Sequence, residues 1–89
     1  MDVQALVALN IRRLRVARGL SQEALAVDAE IDRTYVSRLE RSLENPTVAV
    51  LSRLAGALAV DIVEFFEKPR PGTPEPQVLR KGRKLKSDK

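Results

Sequence analysis

Residues 21–41 read SQEALAVDAEIDRTYVSRLER, and their spacing decides the fold. Ser21 is a helix-capping residue type standing ahead of Leu25, Ala26 and Ala29, which fall on one helical face. Asp32 repeats the arrangement ahead of Val36 and Leu39. Only Glu30-Ile31-Asp32 separates the two segments. A joint that short makes two helices cross at a large angle and share one apolar seam. Leu25, Ala26, Ala29, Ile31, Val36 and Leu39 supply that seam, with Ala26 small where the helices come close. Leu20 and Leu25 bracket the first cap, and Ile31 and Val36 the second, at the two positions of a hydrophobic staple. The outer face of the second helix is left to Arg33, Thr34, Ser37, Arg38 and Arg41.

The same grammar extends both ways. Upstream, Val3, Leu6, Val7, Ile11 and Leu14 recur at helical spacing and predict a helix over residues 2–18. Asp2 is its candidate cap, Arg15 and Arg18 suit its last turn, and Gly19 suits a left-handed position beyond it. Downstream, Asn45-Pro46 ends a loop, because the residue before proline resists helix. Thr47 then caps a fourth helix with Val50, Leu51, Leu54 and Leu58 facing inward. Gly56 inside that helix costs about 1 kcal/mol relative to Ala and predicts close packing there. Asp61 caps a fifth helix, with Val60 and Phe65 as its staple. No stretch alternates with the period of a strand. The expected fold is all-α, a compact five-helix domain over residues 1–67.

The composition changes after that. Four of the five prolines lie within residues 69–76, followed by a polar, basic run. Such a segment buries too little apolar surface to offset its ordering entropy. Residues 68–89 are therefore expected to form a disordered C-terminal tail, with Val78, Leu79 and Leu85 its only anchors. The net charge of +4 divides unevenly. Residues 1–67 hold eight Arg against ten Asp/Glu, a balance of −2, and residues 68–89 hold eight Lys/Arg against two, a balance of +6. The basic character thus belongs to the tail, and any nucleic-acid binding by the folded part must rest on where single arginines sit.

Whole classes of chemistry lack their residues. The chain has no Cys and no His, so thiolate metal sites, disulfides and the commonest catalytic base are unavailable. Asp28, Glu30, Asp32 and Glu44 show no metal-ligand spacing and read as caps and surface. No cofactor, no enzymatic activity and no membrane span are expected, and the location is expected to be cytoplasmic.

At this point the sequence resembles the Xre/Cro family of helix-turn-helix regulators. The matching residues are Leu14-Arg15, Arg18-Gly19-Leu20-Ser21-Gln22-Glu23, Leu25-Ala26, Ile31-Asp32-Arg33-Thr34-Tyr35-Val36-Ser37, Leu39-Glu40-Arg41, Asn45-Pro46-Thr47, Leu54-Ala55 and Ala57-Leu58. Residues 32–41 look most like those of the controller proteins of restriction-modification systems. The resemblance implies a lambda-repressor-like domain that binds double-stranded DNA as a homodimer to regulate transcription. RNA polymerase or another protein is a further partner class left open. It also implies that helix three enters the major groove with Arg33, Thr34, Ser37 and Arg38 toward the bases. Gln22 and Ser21 then stand at the DNA backbone, where the start of helix two can hold a phosphate. Arg41 is a further phosphate contact, and Tyr35 divides evenly between that role and packing. Arg15 and Glu40 stand where the family has an ion pair between helices one and three. Helix five is implied as a two-fold dimer interface of Ile62 and Phe66, with Phe65 beside them.

The sequence departs from the family pattern at three places. Glu30 and Ser42 each replace a usual Gly, and Leu43-Glu44 replace residues that are often basic. Plainer readings stand beside the family reading. Arg33 and Arg38 can be solvated helix charges, and Ser21 needs only its capping role. The tail can fold onto a partner protein, as in an antitoxin, or serve as a nonspecific DNA arm.

Overall fold

Each helix of the computed structural model, which describes residues 1–69, begins at the side chain that the sequence supplies for it. The helices are α1 (Val3–Ala17), α2 (Gln22–Ala29), α3 (Arg33–Glu40) and α4 (Val48–Leu58), followed by a 3-10 helix (Ile62–Phe66). Asp2, Ser21, Asp32, Thr47 and Asp61 each hold extended backbone and accept a hydrogen bond from an amide of the first turn. Caps of this kind are worth about 1 kcal/mol apiece. No strand forms among the described residues.

The helix ends are as uniform as the starts. Gly19, Glu30, Ser42 and Ala59 all take a positive φ, at 71°, 61°, 61° and 57°. After each comes an apolar residue whose amide reaches back across the turn. Leu20 N donates to Arg15 O, Ile31 N to Ala26 O, Leu43 N to Arg38 O and Val60 N to Ala55 O, all at 2.9–3.1 Å. These are Schellman motifs, which satisfy the last carbonyls of a helix. Three of the four joints are then one device: a left-handed residue, an apolar residue and a cap, as in Gly19-Leu20-Ser21, Glu30-Ile31-Asp32 and Ala59-Val60-Asp61. The apolar residue packs on the core in all three.

The core gathers from every element. Ile11, Leu25, Val36, Leu39, Leu54, Leu58 and Phe65 are almost wholly buried, with Val7, Leu14 and Leu51 around them. α2 packs against α3 and α4, while α1 packs against α3, α4 and the 3-10 helix.

Two expectations are corrected. The fifth element is a 3-10 helix of five residues rather than an α-helix. Glu67 already returns to extended backbone, and Pro69 discourages helix at the residue before it. The carbonyls of Phe65 and Glu67 have another partner: the buried Asn10 side chain donates to both at 2.8 Å. Asn10 thereby fastens the end of the domain to the middle of α1. Gly56 is exposed, and a Cβ built there meets no atom within 4 Å. It lies away from the inward face formed by Leu51, Leu54, Ala55 and Leu58. The expectations for residues 70–89, including Val78, Leu79 and Leu85, lie outside the described residues. No described helix is long and apolar enough to cross a membrane.

The left-handed backbone at Glu30 carries a cost of about 1–2 kcal/mol for a residue with a Cβ. Glu30→Gly is expected to stabilise the domain by about 1 kcal/mol, which raises Tm by about 4–8 °C in a domain this small. A melting curve that does not move upward contradicts strain at Glu30.

Candidate nucleic-acid interface

α3 turns Val36 and Leu39 into the core and rests Tyr35 partly against it. Arg33, Thr34, Arg38 and Arg41 are left exposed, with Ser37 half-buried beside them. The seam that α3 shares with α2 fixes which face this is. No protein acceptor among the described residues meets the Arg33 guanidinium.

A buried ionic clamp sets how α3 lies. Glu40 Oε2 accepts from Arg15 Nε at 2.6 Å, and Oε1 accepts from both Arg15 Nη2 and Gln22 Nε2 at 3.0 Å. Arg15 Nη1 donates to the Leu20 carbonyl at 2.7 Å. The Glu40 side chain is only 3% exposed and that of Arg15 13%. One carboxylate therefore ties α3 to α1 and α2, and the same arginine holds the joint between those two helices. Hydrogen bonds on both carboxylate oxygens and all three guanidinium nitrogens offset the desolvation of the pair.

The sequence-predicted contacts divide accordingly. Arg33, Thr34 and Arg38 share the open face of α3, and Ser37 lies at its edge. Gln22 begins α2, and one N–H of its amide is engaged by Glu40, which leaves the second N–H and the carbonyl oxygen for other partners. Ser21 Oγ accepts from Ala24 N at 2.9 Å, so its capping role is occupied while its hydroxyl proton remains to donate. Arg41 Nε reaches the Ser37 carbonyl only at 3.4 Å. The Tyr35 hydroxyl pKa is raised, first by burial and then by the charge of Glu44. The phenol thus stays protonated, and a donor, through neutral pH.

In the 3-10 helix, Phe65 is fully buried, so it serves the core of the monomer. Phe66 and Val63 face outward at 42% and 54% exposure, and Ile62 is half-buried beside them. Val63 was not among the residues expected there, although its neighbours were.

Other contacts escaped the sequence. Arg38 is not solvated alone: its Nε donates to Glu44 Oε2 at 2.7 Å. The signal was present in Ser42, because a left-handed residue after α3 reverses the chain and brings Glu44 back beside Arg38. Gln4 Nε2 donates to the carbonyls of Ser42 and Glu44, at 3.0 and 2.9 Å. Nothing in the spacing announced Gln4 or Asn10, since both are single polar residues in an amphipathic helix. Among the described residues no group of three acidic side chains is placed to hold a metal ion.

Comparison with known proteins agrees with this geometry. The profile of the helix-turn-helix family matches residues 11–65. The HTH-type transcriptional regulator y4dJ of Sinorhizobium fredii is 45% identical over 65 residues, covering 73% of this chain and 84% of that protein. Control protein C.SmaI of Serratia marcescens is 39% identical over 68 residues, covering 76% of this chain and 81% of its own length. Among solved structures, the restriction-modification controller protein C.Esp1396I, crystallised as a tetramer with its 35 base-pair operator, superposes with a TM-score of 0.69. It is 35% identical, over 74% of this chain and 87% of that one. The chain belongs to the Xre-type helix-turn-helix family of transcriptional regulators, alongside the restriction-modification controller proteins.

Proposed function

We propose that this protein regulates transcription by binding a near-palindromic double-stranded DNA operator as a homodimer, with α3 in the major groove. The observation that carries the reading is the exposed Arg33-Thr34-Arg38 face on a helix whose orientation is fixed by the Glu40 clamp. An α-helix with its side chains is about 10–12 Å across, and the major groove is about 12 Å wide. Arg33 and Arg38 can each meet guanine O6 and N7 through two donors. Thr34 and Ser37 have hydroxyls suited to base edges or phosphates. Ser21, Gln22, Tyr35 and Arg41 border this face, where contacts to the DNA backbone set the register. The operator complex of C.Esp1396I supports the reading, because that relative carries the same fold onto DNA.

The folded part has a charge balance of −2 over residues 1–67, so its general field does not attract DNA. Binding has to come from local placement. Two recognition helices multiply that placement, and a dimer sets them about 34 Å apart, one turn of DNA. Ile62, Val63 and Phe66 form the apolar surface that such a dimer would cover. Full burial of side chains of this size is worth about 1.5–3 kcal/mol each.

Selection from a random duplex pool tests the first part. The wild-type chain is expected to enrich a spaced inverted repeat, and Arg33→Ala/Arg38→Ala to lose the guanines within it. Each lost bidentate contact removes about 1–3 kcal/mol of discrimination. A repeat that is indifferent to both arginines overturns the assignment of α3. Sedimentation of Phe66→Glu tests the second part. The variant is expected to be monomeric at micromolar concentration, and a persistent dimer places the interface elsewhere.

A further inference from the structure

The joint between α3 and α4 is the one that breaks the three-residue pattern. After the left-handed Ser42 and the apolar Leu43, Glu44-Asn45-Pro46 is inserted before the cap Thr47. The insertion is held rather than loose. Gln4, from the first turn of α1, donates to the carbonyls on either side of Leu43, and Leu43 N donates back to Arg38 O at 2.9 Å. Glu44 is thereby fixed next to α3, with its side chain only 28% exposed.

Its carboxylate meets Arg38 in a particular way. Arg38 Nε donates to Glu44 Oε2 at 2.7 Å, and Nη2 leans on the Leu43 carbonyl at 3.4 Å. The Glu44 contact is on the side edge of the guanidinium, where Nε lies. On the end edge, formed by Nη1 and Nη2, Nη1 has no protein acceptor among the described residues and Nη2 has only the long contact to Leu43. That end edge has the two parallel donors that match guanine O6 and N7. A pair this exposed adds little to folding, so stability does not account for an acidic residue beside the DNA-reading face.

We propose that Glu44 is a specificity-determining residue: it grips Arg38 by one edge, which keeps the arginine available to a guanine and withholds it from phosphates. The proposal rests on the reading of α3 as the helix that contacts DNA. On nonspecific DNA nearly all affinity comes from phosphate contacts. There the paired carboxylate offsets the charge that Arg38 brings to a phosphate, and leaving Glu44 strands that carboxylate near the negatively charged backbone. At a cognate guanine the end edge engages with the pair intact, so the cost falls on wrong sequences. Glu44 acts through Arg38 and is a positioning residue.

The test measures Kd over a series of salt concentrations on two duplexes, one carrying the selected repeat and one a scrambled sequence. Glu44→Gln keeps the shape of the partly exposed side chain and removes its charge. Freeing Arg38 is expected to strengthen scrambled-DNA binding about five- to tenfold at about 0.1 M salt, and to steepen its salt slope by about 0.9, the signature of one added phosphate contact. Selected-site binding is expected to change less, so the ratio between the two duplexes falls. In an Arg38→Ala background the same substitution is expected to leave the slope unaltered. The proposal is overturned by an unchanged slope on scrambled DNA, by an equal gain on both duplexes, or by the same steepening without Arg38. A wild-type chain that binds DNA with no sequence preference would instead overturn the reading of α3, and this inference with it.

Discussion

Glu40 is the residue on which the arrangement of the first three helices depends. Its buried carboxylate accepts from Arg15 on α1 and Gln22 on α2 while standing at the last position of α3. Apolar packing alone is non-directional and tolerates sliding. A carboxylate met by a planar guanidinium fork does not, because both bonds weaken when either partner shifts. The clamp therefore turns a greasy seam into a defined angle, and that angle is what the proposed role of α3 in DNA binding needs. Gln22 shows how closely the two roles are joined: the residue expected at the DNA backbone is also the third member of the clamp.

The rest of the domain supports that geometry with short, repeated joints. Three left-handed turns lead straight into a staple residue and a cap, so each helix end fixes the start of the next. Small domains bury a limited fraction of their surface, and here three of the four joints add an apolar residue to the core as they turn the chain. Asn10 performs the corresponding task at the end of the fold. It satisfies two carbonyls that a continuing helix would have left to its own next turn.

Much of this was legible in the sequence. The five caps, the seam from Leu25 to Leu39 and the left-handed turn at Gly19 follow from local rules, because each depends on residues within a few positions of one another, whereas Glu30 and Ser42 were marked only by a resemblance in which Gly is usual there. What escaped depends on distance. The 3-10 form of residues 62–66 reflects a hydrogen bond from Asn10, more than fifty residues away. The open surroundings of Gly56 depend on which face α4 presents, and a single glycine does not reveal that. Ala59 was missed because an alanine carries no signal for a left-handed turn, although Val60 and Asp61 complete the same pattern as the other joints. On α3 the exposure of the arginines was legible from type and spacing, whereas the partner that holds Arg38 had first to be brought back by the turn at Ser42.

A buried, fully hydrogen-bonded ion pair fixes α3. Equilibrium unfolding of Glu40→Ala in urea tests it most directly. Removing one partner of a buried pair strands the other and costs about 3–5 kcal/mol, a large share of the roughly 5–15 kcal/mol that holds a natural domain together. A loss of that size is expected, up to outright failure to fold. A loss below about 1 kcal/mol, the value of an exposed surface pair, would contradict it.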